Sequence, residues 1–368
     1  MQNNKEAYAM KRRDFLTHAG AGAAAGIAAT AVARPARAAV EWRMVTSWPR
    51  NFPGPGTSAQ RLADRITAMS NGELGVRLYA AGELVPAFEV FDAVSQGSAE
   101  LGHSASFFWR GKAQAAVFFT TVPFGLNATE TSAWIHAGGG QALWDELYGG
   151  FGLRGFMAGN SGMQMGGWFR REIRGLDDLK GLKYRMPGLG GEVLRRLGAV
   201  AVSLPPGEIL PALQSGAIDG AEFLGPWSDL AFGFYKVAPY YYWPGFHEPN
   251  GTSECLVNRK AFDALPAHLK AVVEGACTAE NDIAMSEAEW NNSVALETLV
   301  ARHGVKLRRF PTEVLRALKG ASREVLADFA KGDDLTRRIH ESYSSALRRF
   351  DAWSRLSHHA FLDARLKG

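Results

Sequence analysis

The residue groups that could carry bond-making chemistry in this chain are incomplete. Gly159-Asn160-Ser161-Gly162-Met163 approaches the G-x-S-x-G turn that exposes a nucleophilic serine, but it ends on methionine, and no histidine follows in a triad-like setting. Gly188-Leu189-Gly190-Gly191 lacks the dinucleotide-binding spacing, and no phosphate-loop G-x-x-x-x-G-K run occurs. Asp177-Asp178 and Asp333-Asp334 stand at the ends of polar segments, where carboxylates serve as caps and turn residues rather than general acids. His358 and His359 are adjacent, so on a helix they diverge by about 100° and do not share a metal. The two cysteines, Cys255 and Cys277, form no C-x-x-C motif, and they are read as buried small apolar residues rather than a bridge. Nothing here makes a hydrolase.

A different chemistry is open to the segment 160–187. Gly166-Gly167-Trp168-Phe169 has the pattern of a strand, Leu176 to Leu182 of a short helix or turn, and Lys183-Tyr184-Arg185-Met186 of a strand closed by Pro187-Gly188. Arg185 alternates with Tyr184 and Met186, which points it off one face of that strand just before the turn. A guanidinium there is either a solvated surface group or a clamp that holds a carboxylate by two parallel hydrogen bonds.

The elements around it alternate. Trp42–Trp48 is a strand pattern, Gly56–Met69 a helix, Gly75–Ala80 a strand, Pro86–Ser95 a helix stopped by Gly97, and Glu100–Ser104 a third strand. Such alternation argues for parallel sheets with helices on their faces. Residues 91–100 (FDAVSQGSAE) and 210–219 (LPALQSGAID) echo each other at an offset of 119, each a helix ending on glycine before a strand. The echo implies two similar α/β lobes. His103-Ser104 and Glu222-Phe223 then fall at strand carboxyl ends, where open sheets bind ligands. The C-terminal third is helical: Pro266–His303 is long enough to run across both lobes, followed by helices over Pro311–Phe329 and Leu335–Leu356. In the last of these, Ile339, Tyr343, Leu347, Phe350 and Trp353 form an apolar stripe that needs a partner surface, either the chain itself or a second copy.

The chain has 368 residues, 46% of them apolar, with a formal charge of +4. Residues 1–38 carry six Lys/Arg against Glu6 and Asp14 and so account for the whole of that charge. The neutral remainder gives no electrostatic case for nucleic acid or a membrane surface. Lys11-Arg12-Arg13-Asp14-Phe15-Leu16, the small-residue stretch Ala19–Ala33 and Ala36-Arg37-Ala38 together make a twin-arginine signal peptide with its cleavage site. Its apolar run is too short to span a bilayer of roughly 30 Å. A periplasmic protein is expected.

The run GLKYRMPGLGGEVLRRLGAVAVSLPPGEILPALQSGAIDGAEFLGPWSDL, continued through YYYWPGFHEPNGTSECLVNRKAFDALP, resembles the DctP-type solute-binding proteins of tripartite ATP-independent periplasmic (TRAP) transporters. Within them it is similar to the branch that binds 2-oxo acids and related monocarboxylates, over essentially all of residues 40–368. The resemblance implies an α/β two-lobe periplasmic binding protein with a hinge, a long interlobe helix and a C-terminal helical extension. The boundaries expected are residues 39–160 and 248–287 for lobe I, 161–247 and 288–320 for lobe II, and 321–368 for the extension. It implies that Arg185 binds the ligand carboxylate, with Asn160, Phe108 and Glu222 also at the substrate. It implies a sodium or calcium ion held by Gln164, Glu222, the Phe223 carbonyl and Glu248, although on residue type alone Glu248 also fits a turn acid and Gln164 a strand edge. Oxygen donors of this kind suit those cations. The implied partners are a small carboxylate, the TRAP membrane permease and a second copy through the last helix.

Two departures bear on the ligand. Phe107-Phe108-Trp109 occupies a loop where the branch often has tyrosines, so the wall is drier, and Phe223 stands where tryptophan is frequent. A secreted oxidoreductase and a ligand sensor on the same scaffold are the rival expectations. Turnover of an oxo acid would mark the first, and the lack of an accompanying permease the second.

Overall fold

A computed structural model describes residues 40–367, so the signal peptide expected in residues 1–38 lies outside the described residues. The first lobe is built from β1 (Val40–Thr46), α1 (Pro55–Met69), β2 (Leu74–Tyr79), α2 (Val90–Ser95), β3 (Leu101–Ser104), α3 (Ala128–Ala137), α4 (Gly140–Gly149) and β4 (Leu153–Asn160). The second holds β5 (Gly167–Phe169), β6 (Lys183–Arg185), α5 (Gly188–Arg196), β7 (Val200–Val202), α6 (Pro206–Ser215), β8 (Gly220–Ala221), α7 (Pro226–Phe232) and β9 (Tyr240–Trp243). The chain then returns to the first lobe through β10 (Thr252–Asn258) and α8 (Arg259–Ala264). It ends with α9 (Ala267–His303), β11 (Lys306–Arg309), α10 (Thr312–Phe329), α11 (Asp334–Ser354) and α12 (Ala360–Lys367).

Two sheets result, with strand orders β2-β1-β3-β10-β4 and β11-β9-β5-β8-β6-β7. In each, one strand runs against its neighbours: β10 is antiparallel to both β3 and β4, and β5 to both β8 and β9. The remaining strands are parallel, so β1, β3 and β4 direct their carboxyl ends to one edge, as do β6, β8 and β9 in the second sheet. The echoed segments are the equivalent helices α2 and α6, each followed by a glycine in the left-handed region, Gly97 at φ 77° and Gly216 at φ 79°. A side chain there would strain the backbone, which is why both helices stop on glycine.

α9 has 37 residues, about 55 Å at 1.5 Å per residue. It packs on α1 and β4 of the first lobe and on α7 of the second. α10 lies on α5 of the second lobe, and α11 then crosses back to the first, where Ile339 and Tyr343 are buried and the Tyr343 hydroxyl accepts a hydrogen bond from the Leu126 amide at 2.8 Å. This divides the apolar stripe of the last helix. Ile339 and Tyr343 are covered by the chain itself, Leu347 and Phe350 are half-buried, and Trp353 is 62% exposed. α12 buries none of its residues. The expected boundary at residue 320 falls inside the unbroken α10. Asp333 caps α11 by accepting from the Thr336 amide at 2.7 Å. Cys255 and Cys277 are free and buried. Among the described residues, no helix is long and apolar enough to cross a membrane.

Candidate functional site

The carboxyl ends of the two sheets face a cavity of about 50 Å³ lined by residues of both lobes, including Trp48, Phe107, Phe108, Asn160, Gln164, Arg185, Phe223 and Glu248. One water needs about 10–15 Å³ on this measure, so the space suits a group of a few heavy atoms.

Register assembles its floor. β6 and β8 are parallel neighbours with Arg185 opposite Ala221, so the next residue on β8's strand end, Glu222, reaches Arg185. The Arg185 Nη1 donates to the Glu222 side chain at 2.7 Å and to the Glu222 carbonyl at 2.8 Å, and Nε donates to the Leu204 carbonyl at 3.3 Å. Arg185 Nη2 has no hydrogen-bond partner among the described residues. The Arg185 and Glu222 side chains are each 1% exposed. The second Glu222 oxygen accepts from His247 Nε2 at 3.0 Å. Arg185 is therefore no solvated surface arginine. It is a buried guanidinium already half-occupied by a carboxylate.

The hinge supplies the rest. The crossovers from β4 to β5 and from β9 to β10 run side by side, with Ser161 N bonded to the Gly251 carbonyl at 3.0 Å and Gln164 N to the Glu248 carbonyl at 3.3 Å. Gly251 permits this approach, because a Cβ there would lie 2.4 Å from Ser161 Oγ and 2.5 Å from Gln164 Nε2. Gln164 Nε2 donates to Glu248 at 2.7 Å and to Ser161 Oγ at 2.9 Å, while Gln164 Oε1 is buried without a partner. A buried, unpaired amide oxygen is costly unless a ligand satisfies it. Carboxylate and imidazole atoms of Glu222, His247 and Glu248 lie within 4.8 Å of one another. Burial first, and then the neighbouring Glu222, raise the Glu248 carboxyl well above its usual range, with Arg185 and Gln164 opposing. This donor set, rich in oxygen and short of positive charge, fits a hard cation, which would favour the ionised form of Glu248.

One strand-end residue is displaced from the cavity, and of the expected site residues all but Glu222 line it. His103 faces no cavity: it is wholly buried, its Nδ1 accepts from Trp48 Nε1 at 2.8 Å and its Nε2 donates to the Ala158 carbonyl at 3.1 Å. Burial lowers its pKa to about 4, so it is neutral. What it does is fix Trp48, a cavity wall. Asn160 lines the cavity, where its Nδ2 donates to Thr252 Oγ1 at 3.2 Å and Asn250 Oδ1 at 3.3 Å and its Oδ1 accepts from the Gly162 amide at 2.9 Å. Phe108 stands in the wall with Phe107, 6.1 Å from the Trp48 ring. Phe223 is 5% exposed, its ring 5.7 Å from the Arg185 Cζ. His247 was missed, though it stands beside Glu248 in Phe246-His247-Glu248-Pro249; a buried pairing of histidine and acid leaves no spacing signature.

Asp229 supports the floor from below. It accepts from Trp168 Nε1 at 2.8 Å and from the Tyr241 hydroxyl at 2.7 Å, and burial pushes it up to about 7.

Comparison with known proteins identifies the family. The model of the family described as bacterial extracellular solute-binding protein, family 7 (DctP) matches residues 44–333. The chain is 41% identical over 318 residues to a monocarboxylate 2-oxoacid-binding periplasmic protein of Nostoc sp., covering 86% of this chain and 87% of that one. A TRAP periplasmic solute-binding protein from Pseudoalteromonas atlantica with bound sodium and pyruvate matches with a TM-score of 0.86 and 40% identity, over 88% of this chain and 99% of that one. One from Colwellia psychrerythraea with bound calcium and pyruvate matches equally, at 0.86 and 40%, over 89% and 99%. A third, from Bordetella bronchiseptica, is a mixed-occupancy dimer with copurified calcium and picolinate; it matches at 0.87 and 39%, over 89% and 98%. The family model spans both lobes and the hinge that joins them, and on that ground the chain belongs to the DctP family of TRAP-transporter solute-binding proteins.

Proposed function

We propose that this protein captures a small monocarboxylate of the 2-oxo acid class together with a sodium or calcium ion, and delivers it to TRAP membrane permease subunits. The observation that carries this reading is the unpaired Gln164 oxygen, buried beside Glu248 in a cavity that Arg185 also lines, with a Glu222 oxygen within 4.8 Å of Glu248 behind that lining. Two carboxylates and one guanidinium leave the floor poor in positive charge, so an incoming monoanion needs a counter-charge besides Arg185. Gln164, Glu222, Glu248 and the Phe223 carbonyl are the groups that would hold the cation. When bound, it supplies positive charge for the ligand's oxygens. Arg185 Nη2 takes a carboxylate oxygen, and Phe107, Phe108 and Trp48 exclude water from the apolar end. Pyruvate, bound by the sodium and calcium relatives, is small enough for such a cavity.

Lobe closure is the working step. The first-lobe sheet (β1 to β4 with β10) moves as one body against the second-lobe sheet (β5 to β9 with β11), α9 spans both, and the crossovers that carry Gln164 and Glu248 bend between them. Residues 1–38 direct export by the twin-arginine pathway. The exposed Trp353, Leu356 and Phe361 seat a second copy of the chain.

Titration calorimetry with pyruvate tests the reading, run in sodium or calcium and again after chelation and sodium removal. Wild-type affinity falls at least about tenfold, ~1.4 kcal/mol, without the cation. Gln164→Met binds weakly under both conditions. Equal affinity of the wild type with and without cation refutes it.

A further inference from the structure

Phe52 belongs by chain to the first lobe and by packing to the second. It sits in the loop between β1 and α1, where Phe52 N donates to the Pro49 carbonyl at 3.2 Å and the Thr57 amide to the Phe52 carbonyl at 3.0 Å. Asn51 takes a left-handed φ of 56° there, a conformation asparagine tolerates better than most residues. The loop is thus fixed in shape and turns the Phe52 ring away from its own sheet. The ring stacks on Phe232 at 4.2 Å and meets Phe223 edge-on at 5.7 Å, and those two rings are 5.0 Å apart. The other buried members of this cluster, among them Trp168, Ile209, Phe234 and Tyr241, come from the second lobe, with Leu299 at the end of α9 and Val305 just after it. Beside the ring, Ser228 Oγ of α7 donates to the Pro53 carbonyl at 3.0 Å.

We propose that Phe52 is the latch of lobe closure, leaving the aromatic pocket of Phe223 and Phe232 when the cleft opens and re-entering it when the cleft closes, so that it holds part of the ligand-free population closed and ligand completes the shift. The latch rests on the binding reading above. Its site of action is specific: Phe223 follows Glu222, its carbonyl belongs to the proposed cation set, and its ring lies against Arg185. Insertion of Phe52 therefore steadies the wall that both the cation and the carboxylate touch. Another contact between the lobes, Arg110 with Glu192 at 3.5 Å, is a partly exposed ion pair and holds little. An aromatic ring seated in a dry pocket is the stronger fastening, of the kind that dominates interfaces between separate proteins.

The test uses spin labels at Ser98→Cys and Ser215→Cys, exposed positions on the first and second lobes, because Cys255 and Cys277 are too buried to label. Distances are measured without ligand and with pyruvate plus calcium, in wild type, Phe52→Ala and Phe52→Leu. Expected are longer distances in ligand-free Phe52→Ala than in wild type and intermediate ones in Phe52→Leu, which keeps most of the apolar volume. Pyruvate affinity drops about 30-fold in Phe52→Ala, ~2 kcal/mol, chiefly through faster dissociation. Should Phe52→Ala fail to fold, Phe52→Leu carries the comparison. Distances unchanged in the folded variants overturn the latch. If the wild type itself binds no pyruvate, the binding reading fails instead, and the ligand-free distances still judge the latch.

Discussion

Removing Arg185 is the perturbation that exposes the logic of the floor. The family resemblance implies that Arg185→Ala abolishes binding and spares the fold, but the side chain also pairs with Glu222. Its guanidinium lies 2.7 Å from Glu222 with both groups 1% exposed. Deleting one member of such a pair strands the other as a buried charge, which costs about 3–5 kcal/mol of stability. His247, at 3.0 Å, is then the one remaining side-chain partner of Glu222 among the described residues. The ligand separately loses a charge-assisted pair worth about 2–5 kcal/mol, at 1.4 kcal/mol per decade of affinity. The two losses separate in a double-mutant cycle. Arg185→Ala loses stability in urea unfolding, and Arg185→Ala/Glu222→Gln regains most of it, because neither member is left charged and alone. Binding of pyruvate stays lost in both. A double variant no more stable than the single one refutes the buried-pair reasoning. Wild-type affinity in Arg185→Ala removes Arg185 from the ligand.

Two further outcomes follow from groups outside the cavity. Glu254 is buried, accepts from the Tyr148 hydroxyl at 2.7 Å and Trp109 Nε1 at 2.9 Å, and is pushed up to about 8 by burial. The fold therefore holds a proton that an unfolded glutamate gives up near 4.3, so this stabilisation is complete below about pH 4.3 and fades as pH rises toward 8, at up to ~1.4 kcal/mol per unit. Glu254→Gln flattens the decline in urea-derived stability between pH 5 and 8, and an unaltered slope argues against it; Asp229, shifted the same way, leaves a smaller residual slope. Truncation after Ser354 removes the exposed Leu356, Phe361 and Leu366 but keeps the buried Ile339 and Tyr343, so sedimentation shifts from dimer to monomer with an unchanged Tm. A monomeric full-length chain rules out the helix-mediated dimer.

Local signals were legible wherever the physics is local. The long helix expected over Pro266–His303 is Ala267–His303, and the helices expected over Pro311–Phe329 and Leu335–Leu356 are Thr312–Phe329 and Asp334–Ser354, because periodic apolar spacing and proline or aspartate starts act within a turn or two. Gly97 and Gly216 mark helix ends for the same reason: a left-handed residue is a property of its own backbone. The alternation of Tyr184, Arg185 and Met186 showed that Arg185 leaves its strand on one face, and the segment's likeness to known binding proteins implied what it meets there. The partner of each group is another matter. That Arg185 meets Glu222 follows from β6 and β8 lying in parallel register across 37 residues of chain, and that Gln164 meets Glu248 from two hinge crossovers held together at Gly251. His103, placed at a strand end by pattern, proved a buried prop for Trp48, and the stripe of the last helix is shared between its own chain and solvent. Burial and pairing between distant segments depend on which surfaces the folded chain brings together. Residue type and spacing constrain those surfaces weakly, so tertiary structure alone decided them.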